Sequence, residues 1–272
     1  FRAADKVYFD AVEIKGGGDA ISAARAACET GEVDYAWNLL APKAVLEPIL
    51  TGGKCDVVPG GNYGVERIEI NFSNPDPNLG DRRSDPDQPH PILSDLRVRQ
   101  AIAKAVDREV IAQQLYGVTG SPTCNIMVAP TTIVSPNTTC GRDVEGAKSL
   151  LAEAGWTDTN GDGIVDKDGK DLTLVLQTSI NPLRQSVQAI LKQNLAEIGI
   201  HLDLRAVDSS VFFSGDPGNP DTLNKFYTDL QMYSNPPDNP FPGYAFSVWL
   251  CDKANSSANL WQGGNANRYC NP

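Results

Sequence analysis

The spacing of apolar and polar residues divides the chain into strands alternating with helices. Over residues 6–14, Val7, Phe9 and Ala11 alternate against Tyr8 and Asp10, which predicts a strand. Asp19 then caps a small-residue helix over residues 20–30, stopped by Gly31. Residues 32–40 read as a second strand and turn, and the Gly- and Pro-bearing stretch 52–64 as a crossover. Residues 67–72 alternate as a half-buried strand does. Residues 74–91, rich in Pro, Asp and Asn, predict a loop. The strongest helical pattern spans residues 95–116. Val98, Ala101, Ile102, Ala105 and Val106 fall on one face, and Gly117 ends it.

A loop carrying Pro122, Pro130 and Pro136 follows. A helix is predicted over residues 144–154, with Asp143 as N-cap and Gly155 just past its end. Residues 172–178 predict a strand, and 184–198 a helix closed by Gly199. Residues 200–207 form a further strand with Ile200, Leu202 and Leu204 on one side, and 225–234 hold another. The tail from Asn235 is irregular. This alternation indicates an α/β architecture, in which binding sites lie in loops at strand ends.

Charge narrows the function classes. The 34 acidic residues outnumber the 23 Lys and Arg, for a net charge of -11, whereas a nucleic-acid footprint needs a basic patch. No run approaches the ~20 apolar residues that cross a bilayer. Phe1-Arg2-Ala3-Ala4 carries neither a signal peptide nor a starting Met and reads as a cut inside a longer protein. The six cysteines, Cys28, Cys55, Cys124, Cys140, Cys251 and Cys270, include no C-x-x-C pair. Zinc sites need closer Cys pairs or His partners, so disulfides in an oxidising compartment are the better reading, with buried free thiols as the alternative. Chain order suggests the local loops Cys28–Cys55, Cys124–Cys140 and Cys251–Cys270, each worth roughly 3 kcal/mol in the chain-entropy model.

Two chemistries can be weighed from the residues alone. Asp158, Asn160 and Asp162 stand at every second position before Gly163, with Asp166 beyond, as in a Ca²⁺ loop. The twelfth position is Gly169 rather than Glu, and the flank reads as a strand, so an Asp/Asn/Gly hairpin turn is the other reading. A secreted carboxylate-dependent hydrolase is the competing class. The chain holds no G-x-S-x-G, no H-E-x-x-H and no P-loop. Of its two histidines, His90 lies between prolines in a loop and His201 faces outward from a strand, and nothing singles out a carboxylate pair.

Five strings carry a family resemblance. They are Thr30-Gly31-Glu32-Val33-Asp34-Tyr35-Ala36, Asp95-Leu96-Arg97-Val98-Arg99-Gln100-Ala101-Ile102 with Val106-Asp107-Arg108-Glu109, and Ala147-Lys148-Ser149-Leu150-Leu151-Ala152-Glu153-Ala154-Gly155-Trp156. Leu195-Ala196-Glu197-Ile198-Gly199-Ile200 and Asn267-Arg268-Tyr269-Cys270-Asn271-Pro272 complete the set. In this order and spacing the chain resembles bacterial extracellular solute-binding proteins, family 5, the peptide- and nickel-importer class. The strings themselves are scaffold: helix faces, a glycine cap, a packed tryptophan.

The resemblance implies periplasmic-binding-protein-like type II lobes with mixed sheets, one of them incomplete. Residues 1–60 would be a fragment of the first lobe (domain I) and 61–272 most of the second (domain III). It implies an extracytoplasmic carrier, anchored through a segment before Phe1, that closes over a peptide or similar small solute in a cleft. The carrier is expected to act as a monomer and to deliver to an ABC-importer permease, or to signal as an orphan sensor of the same fold. It needs no cofactor, Ca²⁺ in the 158–166 loop aside. Cleft residues are expected at strand ends: Trp37 and Asn38 on the first lobe, Tyr233, Ser234 and Asn235 on the second. Asp238 is the candidate for the aspartate that holds a peptide's ammonium group in relatives, although the surrounding Asn235-Pro236-Pro237-Asp238-Asn239-Pro240 departs from their pattern. With flanking pieces of both lobes missing, residues 1–272 alone are expected to bind ligand weakly.

Overall fold

The computed structural model describes residues 8–16, 18–37, 39–52, 54–58, 64–234, 241, 243 and 246–270. The chain divides into two units, Phe1–Val57 and Val58–Pro272. In the first, Asp19 accepts hydrogen bonds from the Ile21 and Ser22 amides and starts α1 (Ala20–Arg25). The coil continues as one π turn to Thr30, where Gly31 at φ 69° stops it. α2 (Lys43–Thr51) has no counterpart in the sequence reading; Pro48 inside it obscures the helical spacing. Ala24, Ala41, Leu46 and Ile49 form a small core, with the Cys28–Cys55 disulfide against it.

The strands expected over 6–14 and 32–40 do not form in their described residues. Alternation gives a segment the capacity to be a strand, but a ladder needs a partner to take its amides and carbonyls. Among the described residues of this unit there is no strand to supply one.

The second unit runs β1 (Glu66–Ile70), α3 (Leu96–Ala105), α4 (Arg108–Ile111), α5 (Val144–Glu153), β2 (Asp166–Lys167), β3 (Lys170–Asp171), β4 (Thr173–Ser179), α6 (Pro182–Ala196), β5 (His201–Val207), α7 (Ser209–Phe212) and β6 (Leu230–Ser234). The main sheet has the order β1-β6-β4-β5 and is mixed. β6 pairs antiparallel with β1 and parallel with β4, and β5 is parallel to β4. Chain order thus reverses at β4, whose crossover partner β5 lies on one side and β6 on the other.

One face of this sheet carries the core. Leu174, Leu176, Leu202, Leu230 and Met232 pack with Val98, Ala101 and Ile102 of α3, Ala147 and Leu151 of α5, and Val187, Leu191 and Leu195 of α6. Leu204, expected beside Leu202, is instead 40% exposed, because edge strand β5 is covered only in its first half. The helix expected over 95–116 breaks at Val106 and Asp107. Val106 is extended (ψ 121°), and Asp107 caps α4 by accepting from the Val110 amide. The Asp107 amide donates to Asn194 Oδ1 at 2.9 Å, a partner in α6 that local periodicity cannot foresee. The strand expected over 225–234 starts only at Leu230, since Phe226 at φ 50° turns the chain before it.

The second face corrects the half-buried reading of residues 67–72. Glu69, Gln231, Gln177 and Arg205 form a row across all four strands. The first three are buried. Loops close over them by hydrogen bonds: Gln231 Nε2 donates to the Leu223 carbonyl (3.1 Å), Gln177 Nε2 to that of Asp221 (2.9 Å), and Asn267 Nδ2 to Glu69 Oε2 (2.7 Å). Polar side chains serve here as anchors for irregular chain, which has no ladder of its own. Cys124–Cys140 and Cys251–Cys270 tie two further irregular stretches, so all three pairings follow chain order. His90 is equally structural. Its Nδ1 accepts from the Ile92 and Leu93 amides, and Nε2 bonds Asp229, whose other oxygen takes the Val175 amide.

Candidate functional site

The carboxyl ends of β4 and β6 meet at the reversal in chain order, the place where open α/β sheets bind ligands. β4 ends at Ser179, and Asn181 accepts from the Leu183 and Arg184 amides while Pro182 occupies the first helical position of α6. This turn sends Arg184 back across the strand ends. Its guanidinium donates to Ser179 Oγ (2.7 Å) and to both oxygens of Glu66 (2.7 and 3.2 Å). Glu66 opens β1 directly opposite Ser234, the last residue of β6.

The next pair in register is Arg67 with Tyr233. Arg67 donates to Glu69 at 2.5 Å, and its guanidinium lies 5.3 Å from the Tyr233 ring centre and 5.6 Å from that of Trp249. Tyr233 meets Phe212 edge-on at 6.0 Å, Phe212 meets Phe213 at 4.9 Å, and Arg184 lies 5.9 Å from Phe213. Phe246 adjoins Trp249 at 5.9 Å. The result is a continuous belt of aromatic rings and guanidinium planes, a stacking that arginine favours over lysine.

Electrostatics in the belt are self-contained. Two guanidinium groups face two carboxylates, all four largely removed from water. Burial raises the Tyr233 phenol above its ordinary pKa, and the charge of Glu69 adds to this. Tyr116, at the end of the π turn after α4, is raised for the same first reason, with Glu66 adding. Its buried hydroxyl has no hydrogen-bond partner among the described residues. Both phenols stay neutral across the physiological range and serve as apolar bodies with a polar tip.

Of the residues expected at strand ends, Tyr233 lies buried within the belt and Ser234 is half-buried opposite Glu66. Trp37, in the first unit, is 78% exposed. Asn38, Asn235 and Asp238 lie outside the described residues. Sequence reasoning missed Glu66, Arg67, Ser179, Arg184, Phe213 and Trp249. One signal was available: Asn181-Pro182 is a cap followed by a first-turn proline, which starts α6 early enough to put Arg184 in its first turn.

The 158–166 loop bonds to itself. Asp158 accepts from the Gly161 and Gly163 amides, Asn160 from that of Asp162, Asp162 from that of Ile164, and Asp166 from Thr159. Among the described residues no three His, Cys, Asp or Glu side chains form a metal-binding group.

Residues 2–257 match the family model described as bacterial extracellular solute-binding proteins, family 5 Middle. The oligopeptide-binding protein AppA of Bacillus subtilis (strain 168) is 37% identical over 127 residues, 44% of this chain and 23% of that protein. The structure of Bacillus subtilis AppA with a nonapeptide superposes with a TM-score of 0.62 at 24% identity, covering 93% of this chain and 44% of the other. The periplasmic binding protein MelB of Agrobacterium fabrum C58, solved with stachyose, gives 0.63 at 18% identity, covering 90% and 36%. The chain thus spans less than half the length of these relatives, and the structural likenesses establish the expected mixed α/β fold.

Proposed function

The chain belongs to family 5 of the bacterial extracellular solute-binding proteins, and from that premise we propose that it is part of a carrier that captures a small solute, most simply a peptide, for an ABC importer. The observation that carries the reading is the family match over residues 2–257, joined to the belt at the carboxyl ends of β4 and β6. A relative solved with a nonapeptide supports a peptide, and one solved with stachyose keeps a sugar in view. The belt is built for recognition. It offers rings and ion pairs, while His90 is committed to three hydrogen bonds that hold the fold.

The setting is extracytoplasmic in this reading, with the three disulfides as support. No helix among the described residues is long and apolar enough to cross a membrane. Work is done by differential affinity: the ligand stabilises whichever arrangement of the carrier it binds better, and the permease engages that arrangement.

The test is mass spectrometry of small molecules released when the whole carrier, of which this chain is part, is purified and then denatured. A mixture of short peptides is expected. A single sugar or a metal chelate would retain the carrier and replace its cargo; a processed product of an added peptide would replace the carrier with a hydrolase.

The 158–166 loop we read as a hairpin turn, because its side-chain oxygens already accept from its own amides. Excess EGTA or millimolar Ca²⁺ should leave the thermal midpoint unchanged. A rise on adding Ca²⁺, absent in Asp158→Ala, would instead make the loop a cation site.

A further inference from the structure

β5 stands at one edge of the main sheet, and among the described residues β4 is the one strand paired with it. The His201 amide donates to the Leu172 carbonyl, and the Val207 carbonyl accepts from the Ile180 amide. Backbone direction alternates along a strand, so residues 201, 203, 205 and 207 turn their N–H and C=O groups to β4. Those of Leu202, Leu204 and Ala206 turn outward, and none of them bonds to backbone among the described residues. The opposite edge is partly used: the Phe72 amide donates to the Asn267 carbonyl, and the Phe72 carbonyl accepts from the His90 amide. A row of unpaired backbone groups is a template for another strand.

The side chains of β5 decide which strand it fits. Asp203 and Arg205 lie on the second face with side chains 58% and 42% exposed, and Leu204 on the core face is 40% exposed. Within the chain Asp203 meets His201 at 3.1 Å and Arg205 meets Asp221. Charges of one sign at 203 and 205 would repel a second copy of this edge, a common protection of edge strands. Here the signs are opposite. Antiparallel pairing of two copies about a two-fold axis at Leu204 matches the whole strand: Leu204 with Leu204, Leu202 with Ala206, and His201 with Val207. It also sets Asp203 of each copy against Arg205 of the other. Leu204, whose backbone faces outward, forms a hydrogen-bonded pair with its counterpart. Positions 203 and 205 are then non-hydrogen-bonded pairs, where opposed side chains lie closest. An axis at Leu202 or Ala206 shortens the ladder and loses both ion pairs.

We propose that β5 is a self-association edge, through which two copies of the protein join their sheets in one antiparallel ladder centred on Leu204. The contact is isologous, so each copy contributes the same strand and the assembly closes as a dimer. It does not depend on the cargo, and it puts a dimer in place of the monomer that the family resemblance implies.

The test is sedimentation equilibrium of the whole carrier, of which this chain is part, in physiological salt that screens the repulsion between two acidic copies. A concentration-dependent monomer–dimer equilibrium is expected. Asp203→Arg and Arg205→Asp should each raise the dimer Kd by about tenfold or more, since each turns both attractive pairs into repulsive ones. An equimolar mixture of the two variants should dimerise again, because opposite charges then face each other between unlike copies. Hydrogen exchange locates the contact: the Leu204 and Ala206 amides should exchange more slowly as the wild type is concentrated. A carrier that stays monomeric up to its solubility limit, or a dimer that both variants retain, would overturn the proposal. So would a mixture of the two folded variants that stays monomeric, or a dimer in which the Leu204 and Ala206 amides gain no protection.

Discussion

Arg184→Met is expected to lower the unfolding free energy by about 3–5 kcal/mol, the usual result of leaving one member of a buried ion pair alone. The carboxylate of Glu66 receives two guanidinium bonds and is mostly removed from water, so the variant strands a charge at the end of the sheet. Glu66→Gln should cost less, about 1–2 kcal/mol, because the amide oxygen still accepts from Arg184. The informative case is the double variant Glu66→Leu/Arg184→Met. Removing both charges removes both desolvation costs, so it should fold to within about 1 kcal/mol of the wild type. Urea unfolding of the wild type, Glu66→Leu, Arg184→Met and the double variant gives the coupling energy directly, provided the slope of each transition is unchanged. A double variant as unstable as Arg184→Met alone would show that the arginine acts through its stem packing or its bond to Ser179 rather than through Glu66.

The same pair shows where sequence reasoning reaches and where it stops. Asp19 and Asp143 each cap a helix as read, and Gly31, Gly155 and Gly199 take the left-handed conformations read from their places after helices. Those signals are local: a short side chain bonds an amide two or three residues away, or a missing Cβ permits positive φ. The disulfides were legible because each partner is the next cysteine along the chain. Glu66 and Arg184 stand 118 residues apart, and nothing local in either advertises the other. The break at Asp107 depends in the same way on Asn194, 87 residues later. Residues 6–14 fail in the opposite sense, since their alternation is real and the partner that would make them a strand is not among the described residues. Tyr233, expected just after a strand, lies within β6 opposite Arg67, and its burial against Phe212 and Arg67 is set by residues far away in the chain.

Arg268→Met is expected to cost about 3 kcal/mol, for a reason unlike that of Arg184. The helices of residues 247–270 are all short 3-10 turns, so most carbonyls there have no helix or ladder to satisfy them. Arg268 is buried and donates to the carbonyls of Asn255 (3.2 Å), Asn224 (3.1 Å) and Lys225 (2.9 Å), and to that of Ala266. No carboxylate among the described residues lies within ion-pair distance of it, and burial pulls the pKa of its guanidinium well below the ordinary value. Trp261, 5.3 Å away, offers its ring to the cation in place of a counter-ion. Methionine fills a similar volume but leaves the carbonyls of Asn255, Lys225 and Ala266 without a donor, at about 1 kcal/mol each, while that of Asn224 keeps the Asn255 side-chain amide. Arg268→Lys should recover less than half, because an ammonium cannot span a planar fork of acceptors on three separate segments. The Cys251–Cys270 disulfide does not replace this knot: it joins the ends of the tail, whereas Arg268 ties the tail to residues 224–225 beside the sheet. Oxidised Arg268→Met should therefore lose protection of the tail amides of Asn255 and Asn265, which donate to the Asn265 and Lys253 carbonyls beside the arginine, as read by hydrogen exchange. Full protection in the oxidised variant, with a loss of stability under about 1 kcal/mol, would mean that the disulfide and the Asn267–Glu69 anchor hold the tail without the arginine.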